Sequence, residues 1–598
     1  MPIPIEEIIK VPIITFTINM DHEGKKVVYS SNRSGLNQLY IVETKPNVTP
    51  TQITQEETEV RYGELSPNGK ELIYLLDQGG NETYQLILVD LEKYATRQIT
   101  KQAYLTWGGT WHPTKRIFAR NFTTKEQSGI EIINLTNDEN YVLTYTPIPT
   151  FFPKYSHTGK WLACTGWGGK DPKNQQVMLL NCEQPDDTII YSFKEGSRES
   201  GAVWSPDDKY LAFQSDLQGD SRVVIQQFQG EECTFLPLED EEEVPEESAL
   251  HWSPKEKGVL YLVSKHGQTQ LYKHVLGQEK ERIPFPRGTI RNAAYSADAK
   301  RIAVIHSSFS SPDGVYYIAD GSEPITLSSR EFSFNKEELV APQSIWYESY
   351  DGRKIHGWYL QPASGTAPHP AIVFPHGGPW AQVSDEFLMI TQSLAQLGFG
   401  VLLPNYRGST GYGKAFKELI LGDPGGGELE DVVYSAKWLR KRADIDPTKI
   451  AVMGGSYGGY LTLLALTKKP TAFNTGVAMY PVADCLEGYQ YMDTIMRQFD
   501  HELFGGPPTE KEELYRERSP SNHIENIQAP VMIIAGRNDI RCPFPPVEKF
   551  VNKLKEMNHP YTLMVDEDEG HLGMVHLKII REINAAVEFL TQVFQLRK

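Results

Sequence analysis

Sulfur, net positive charge and long apolar runs are all scarce in this chain of 598 residues. The five cysteines, Cys164, Cys182, Cys233, Cys485 and Cys542, are odd in number and hold no C-x-x-C pair. That excludes a disulfide framework and a thiolate zinc site, and leaves reduced thiols in a cytoplasmic setting as the expectation. Lysine and arginine number 59 against 77 aspartates and glutamates, a formal charge of −18. A phosphate backbone or an anionic membrane is bound through cations, so neither nucleic acid nor membrane is an expected partner. No apolar stretch approaches the roughly 20 residues of a spanning helix, and the opening MPIPIEEIIKVPIITF lacks the basic start of a secretory signal. There is no H-E-x-x-H, and Gly425-Gly426-Gly427 runs into Glu428, Glu430 and Asp431 rather than the Lys-Ser/Thr of a phosphate loop. Neither a metal nor a cofactor is expected.

What is present is a repeat. A chain of this length exceeds one ordinary core, so two domains are expected. In the first half a six-residue pattern recurs seven times: MDHEGK from Met20, LSPNGK from Leu65, WHPTKR from Trp111, YSHTGK from Tyr155, WSPDDK from Trp204, WSPKEK from Trp252 and YSADAK from Tyr295. Successive starts lie 45, 46, 44, 49, 48 and 43 residues apart, and a short β-like run follows each. Units of this length with several short strands and tight turns predict a seven-bladed β-propeller over 15–330, rather than a β-sandwich or a row of unrelated β-domains. Residues 1–14 form an N-terminal segment, read as a short helix docking on the second domain or on a partner subunit.

From about 331 to 598 strand-like and helix-like stretches alternate, as in AIVFPHGG, GVLLPNYRG, KIAVMGGSYGGY, PVMIIAGRND and YTLMVDEDEGH. That alternation predicts a mostly parallel, doubly wound α/β sheet. Between an apolar strand and a helix-like run stands Gly454-Gly455-Ser456-Tyr457-Gly458, the G-x-S-x-G element of an α/β-hydrolase. The turn must lift a serine oxygen above the sheet, and small neighbours permit it. A serine hydroxyl attacks only when a base removes its proton, so a histidine held by a carboxylate is required. Asp539 and His571 each follow an apolar strand, in the order Ser, Asp, His expected of this fold. The neighbouring Asp566, Glu567, Asp568 and Glu569 are read as a solvated acidic loop. His376-Gly377-Gly378-Pro379 follows another strand, and the N–H groups of Gly378 and Tyr457 are the candidate oxyanion hole.

Taken together, HGGP at His376, NYRGSTGYG at Asn405, GGSYGGY at Gly454, NDIRCP at Asn538 and EGH at Glu569, behind a seven-fold repeat, resemble the prolyl oligopeptidase family of serine peptidases. Within it the acylaminoacyl peptidases are most similar. The resemblance implies a propeller lid that admits short peptides, a homo-oligomeric assembly, and an arginine two residues past the aspartate, here Arg541, that binds a substrate carbonyl. Arg407 and Tyr412, on a loop at a strand end, are read as further cleft-lining residues. The expected reaction is hydrolysis of short peptides through an acyl-enzyme on Ser456, releasing N-acylated amino acids. A dipeptidyl peptidase, a small-molecule amidase or esterase with the same triad, and a propeller scaffold with an inactive hydrolase domain remain as alternatives. The acidic run Glu239 to Glu243, with Glu246 and Glu247, is read as a solvated loop rather than an anchor for a free amino terminus.

Overall fold

The computed structural model describes residues 2–77, 79–146, 149–168, 170–230, 233–236, 246–255, 257–319, 322–328, 332–571 and 576–596. The acidic residues 239–243 lie outside that set. The chain opens on a short helix, α1 (Ile5–Ile9), and then builds seven antiparallel four-stranded units spanning Ile14–Gln52, Gly63–Gln98, Gly109–Thr146, Thr150–Tyr191, Glu199–Phe235, Glu246–Arg282 and Thr289–Thr326. These are the blades of a propeller.

The recurring six-residue pattern closes the hairpin between the first two strands of a blade. Its serine accepts from the amide just past the pattern: Ser66 Oγ from Glu71 N at 2.9 Å, Ser156 Oγ from Trp161 N at 3.2 Å, Ser205 Oγ from Tyr210 N at 2.9 Å and Ser296 Oγ from Arg301 N at 3.1 Å. In five copies the fifth residue takes a left-handed conformation, with φ of 65° at Gly24, 70° at Gly69, 74° at Gly159, 55° at Asp208 and 58° at Ala299, while Lys115 of the third copy does not. Glycine and aspartate adopt that conformation at little cost, which is why they recur there. Apolar residues from successive blades interdigitate, Trp161, Ala163 and Leu179 with Trp204, Leu211 and Phe213. Each blade is made from one contiguous segment, so the ring closes by side-chain packing and not by a shared blade. Ile14, Val27 and Tyr29 of the first blade pack on Ala303, Ile305 and Val315 of the last. Asp313 Oδ2 accepts from Ile14 N at 2.8 Å, and Arg291 donates to Ile14 O at 3.0 Å.

The second half is one eight-stranded sheet. Its strands are β1 (Gln343–Glu348), β2 (Lys354–Leu360), β3 (His369–Val373), β4 (Gly400–Asn405), β5 (Ile445–Gly455), β6 (Thr475–Met479), β7 (Val531–Gly536) and β8 (Tyr561–Asp566), in the spatial order 1-2-4-3-5-6-7-8. β2 is antiparallel to β1 and β4, and all other pairs are parallel. β3 to β7 carry continuous buried apolar runs, because helices cover both faces of a parallel sheet. Those helices include α2 (Met389–Gln396), α3 (Gly427–Arg440), α4 (Tyr457–Lys468), α5 (Thr494–Phe504), α6 (Phe544–Glu556) and α7 (His576–Val593). α1 docks on this layer: Ile8 and Ile9 are fully buried with Met389, Ile579 and Ile583, and Ile3 N donates to Gln396 Oε1 at 3.0 Å. Among the described residues no helix is long and apolar enough to cross a membrane.

The propeller seats on the hydrolase domain through ion pairs that range from buried to partly exposed. Arg198 binds Glu502 at 2.6 Å, Arg291 binds Glu386 at 2.7 Å and Arg287 binds Asp385 at 3.0 Å. These contacts aim the propeller at the ends of β5, β7 and β8.

Candidate active site

β5 ends in the turn that carries Ser456, whose backbone stands at φ 58° and ψ −122°, a region strained for any residue with a Cβ. The turn exists because its neighbours have no side chains. A Cβ on Gly454 would stand 2.8 Å from Pro375 O, one on Gly458 2.1 Å from the same oxygen, and one on Gly459 2.5 Å from Met479 O. The strain is offset by a hydrogen bond that Ser456 N donates to Met479 O at 2.9 Å and by α4, which starts at the next residue.

β7 and β8 deliver the other two groups. Ser456 Oγ lies 2.9 Å from His571 Nε2, and His571 Nδ1 lies 2.8 Å from Asp539 Oδ2. The second carboxylate oxygen, Oδ1, accepts from Arg541 N and Cys542 N, each at 2.8 Å. With both carboxylate oxygens of Asp539 engaged, the imidazole has one orientation and one tautomer, Nδ1–H toward the carboxylate and a bare Nε2 toward the serine. Tyr480 stands edge-on to the histidine ring at 6.1 Å and is itself tied to Glu582 by its hydroxyl at 2.5 Å.

Gly378 and Tyr457 both line the cavity that holds Ser456. Tyr457 is the first residue of α4, where an N–H has no intrahelical acceptor and the helix dipole favours negative charge. Gly378 holds φ 126°, which only glycine adopts freely, and is joined to Pro379 by a cis bond. Beneath them, Tyr457 Oη donates to Glu428 Oε1 at 2.7 Å, and burial pushes the Glu428 carboxyl up to about 7. His376 stacks on Tyr406 at 4.2 Å and binds Ser409 Oγ at 2.8 Å, with burial lowering its pKa to about 4. A neutral, wedged His376 fixes the loop that carries Gly378.

A cavity of about 910 Å³ opens from these groups. Ser456, His571, Gly378 and Tyr457 form one wall, α5 forms another, and the propeller contributes Trp107, Phe151, Phe152 and Trp167. Arg541 reaches its rim, where Nε and Nη2 bind the propeller carboxylate Glu82 at 2.7 and 2.5 Å and the guanidinium lies over Trp107. Glu82 has φ 56° and is 8 % exposed, so the propeller holds a strained, buried acid beside the site. The loop carrying it also touches the catalytic loops, with Asn538 Nδ2 donating to Gly79 O at 2.9 Å and Gly80 packed against Gly570.

Arg407 does not reach the cavity. It is 5 % exposed and bound to Asp431 at 2.8 Å and Asp351 at 3.1 Å, so the reading of it as a cleft residue is corrected. Asp431 is fully buried in α3, and a buried anion requires a partner of this kind. Tyr412 likewise spends its hydroxyl on Asn405 Nδ2 at 2.7 Å and on His356. The acidic stretch at the end of β8 is only partly solvated: Asp566 pairs with Arg581 and Glu569 with Lys578, while Glu567, beside Arg537, and Asp568 are exposed. Asp539, Cys542 and His571 present donor atoms within 4.8 Å of one another, a spacing that would suit a cation. In this arrangement Nδ1, Nε2 and both carboxylate oxygens are already engaged in the triad. Two residues at the site escaped the sequence reading. Glu82 lies in an ordinary-looking GGNET turn, and only the ring brings it to Arg541. Asp500 was legible in principle, as a lone acid within the apolar stripe Ile495, Met496, Phe499, Leu503 and Phe504 of α5.

Fold and site together define an α/β-hydrolase with a Ser-His-Asp triad covered by a seven-bladed propeller. Residues 386–597 match the model of the prolyl oligopeptidase family. Dipeptidyl aminopeptidase BIII of Pseudoxanthomonas mexicana is 31% identical over 310 residues, covering 49% of this chain and 45% of that protein. The acylamino-acid-releasing enzyme of Rattus norvegicus is 29% identical over 207 residues, covering 34% of this chain and 28% of its own length. The aligned region thus spans about half the length of the first curated relatives, 49% and 45%. A puromycin-hydrolyzing peptidase of Mycobacterium tuberculosis has the same fold, with a TM-score of 0.84 at 19% identity over 99% of this chain and 96% of that one.

Proposed function

We propose that the protein is a serine peptidase that hydrolyses short peptides and releases N-acylated amino acids. The observation that carries this reading is the unbroken chain from Ser456 Oγ through His571 to Asp539, at 2.9 and 2.8 Å, opening on a mostly apolar cavity. Ser456 attacks the scissile carbonyl while Nε2 takes its proton. The oxyanion is held by the N–H groups of Gly378 and Tyr457, and the protonated imidazole then gives its proton to the leaving amine. Water, activated by the same nitrogen, hydrolyses the acyl-enzyme. Arg541 uses Nε and Nη2 on Glu82, which leaves Nη1 for a substrate carbonyl. The propeller covers the cavity and restricts it to short, flexible chains. Its carboxylate at the rim is neutralised by Arg541, which supports a blocked amino terminus over a free one. The dipeptidyl reading rests on the same Glu82, if a substrate amine displaces the arginine. We assign the protein to the cytoplasm on its five unpaired cysteines.

Hydrolysis of acetyl-amino-acid anilides against unblocked dipeptide anilides tests the reading, with Ser456→Ala as control. The blocked series is expected to turn over faster, and a fluorophosphonate to label wild type but not the variant. A clear preference for free amino termini would replace the acyl reading with the dipeptidyl one, and failure to label Ser456 would end the enzyme reading.

A further inference from the structure

α5 presents a stripe of cavity-facing side chains, Ile495, Met496, Phe499, Leu503 and Phe504, and in the middle of that stripe stands Asp500. The other acids of the helix segment are accounted for. Asp493 caps the helix, accepting from Ile495 N at 2.7 Å and Met496 N at 3.0 Å, and Glu502 binds Arg198 at 2.6 Å. Asp500 is 7 % exposed and lines the same cavity as Ser456, yet among the described residues no hydrogen bond or ion pair ends on its carboxyl. The groups close enough to feel its charge are Cys485, Tyr489, Tyr515 and Cys542, and none is a cation.

A buried carboxyl without a partner is destabilising by the desolvation of its oxygens, and apolar residues would fill this wall better. A site that keeps such a group gains from it only when a ligand supplies the missing partner. Resting on the serine-peptidase reading above, we propose that Asp500 selects substrates whose residue next to the scissile carbonyl has an apolar stem tipped by a hydrogen-bond donor. The apolar stripe accommodates the stem, and the carboxyl accepts from the tip. Tyrosine, with its phenol, and lysine, with its ammonium, share that chemistry. Phenylalanine and norleucine have the same stems and leave the carboxyl unpaired. Sites built to bond a substrate polar group discriminate strongly against analogues that lack it, because the protein group is then left buried and unsatisfied.

Matched anilide pairs, acetyl-Tyr against acetyl-Phe and acetyl-Lys against acetyl-norleucine, decide the matter on the full-length protein. Wild type is expected to favour the donor-tipped member by tenfold or more in kcat/KM in at least one pair, which also tells phenol from ammonium. Asp500→Leu is expected to erase the preference, read as the ratio of kcat/KM within each matched pair. Asp500→Asn, which retains an acceptor oxygen but no charge, should abolish a lysine preference and only weaken a tyrosine one. The same order is expected in binding of the four N-acetyl amino-acid amides to Ser456→Ala, followed by isothermal titration calorimetry. That arm separates the two readings: absent hydrolysis with ordered binding strikes the peptidase assignment alone. Wild type that handles the undecorated member equally well in both pairs, or a preference that survives in Asp500→Leu, overturns the role of Asp500.

Discussion

A methyl group on Gly80 is expected to slow Ser456 chemistry from the other domain. Gly80 belongs to the propeller loop that meets the catalytic loops, and an ideal Cβ there would stand 2.6 Å from Gly570 N and 3.1 Å from the Glu569 carbonyl carbon. Ordinary contacts of such an atom fall at 3.4–4 Å, so one surface must retreat by ~0.8 Å, and both are backbone. Gly570 immediately precedes His571, whose Nε2 sits 2.9 Å from the serine oxygen. A retreat of that size carries the pair past hydrogen-bonding distance, and misplacements near 1 Å reduce turnover by on the order of a hundredfold. The backbone strain itself is a separate effect, since Gly80 has φ +73°. Gly79→Ala isolates it: φ is +84° and a Cβ at that position would meet nothing within 4 Å. Both variants should lose about 1–2 kcal/mol of stability to a left-handed alanine, but only Gly80→Ala should lose the rate. The assay is the second-order rate of fluorophosphonate labelling of Ser456, with thermal unfolding in parallel. Equal labelling by the two variants would refute the claim that the propeller loop positions His571.

Arg407→Ala should be severe for stability and mild for activity. Removing the guanidinium strands Asp431 inside the protein, a loss of about 3–5 kcal/mol, readable as a lower urea midpoint. Because Arg407 lies off the cavity, the fraction that stays folded should keep its kcat/KM, and a selective loss of activity would return Arg407 to the site. Asp500 also sets a pH dependence of stability. Burial raises its pKa from 3.8 to about 8, so between those values the unfolded chain releases a proton that the folded chain retains. Stability is therefore full below about pH 4 and falls as pH rises toward 8. Asp500→Asn removes this component. Its gain over wild type should grow between pH 5 and pH 8 to as much as several kcal/mol at about 1.4 per pKa unit, and a gap that does not change with pH would contradict the burial of an unpaired carboxyl.

The sequence by itself determined the two architectures and the hydrogen-bonded set of Ser456, His571 and Asp539, because those depend on local rules. A hairpin of fixed chemistry repeated at a near-constant spacing can only build equal units, and the ring follows from their number. Serine between glycines after a strand, and an aspartate and a histidine after later strands, are fixed by the register of a parallel sheet, whose strand ends all face one way. Tertiary structure alone decided which charges meet. Arg407 and Arg541 look alike as loop arginines. One faces the buried Asp431 on α3, 24 residues on. The other faces Glu82, which is 459 positions away and belongs to another domain. Glu567 and Asp500 look alike as acids, yet the first is exposed beside Arg537 and the second is buried with no partner among the described residues. Pairing and burial depend on distances set by the whole fold, and no local spacing in the chain encodes them.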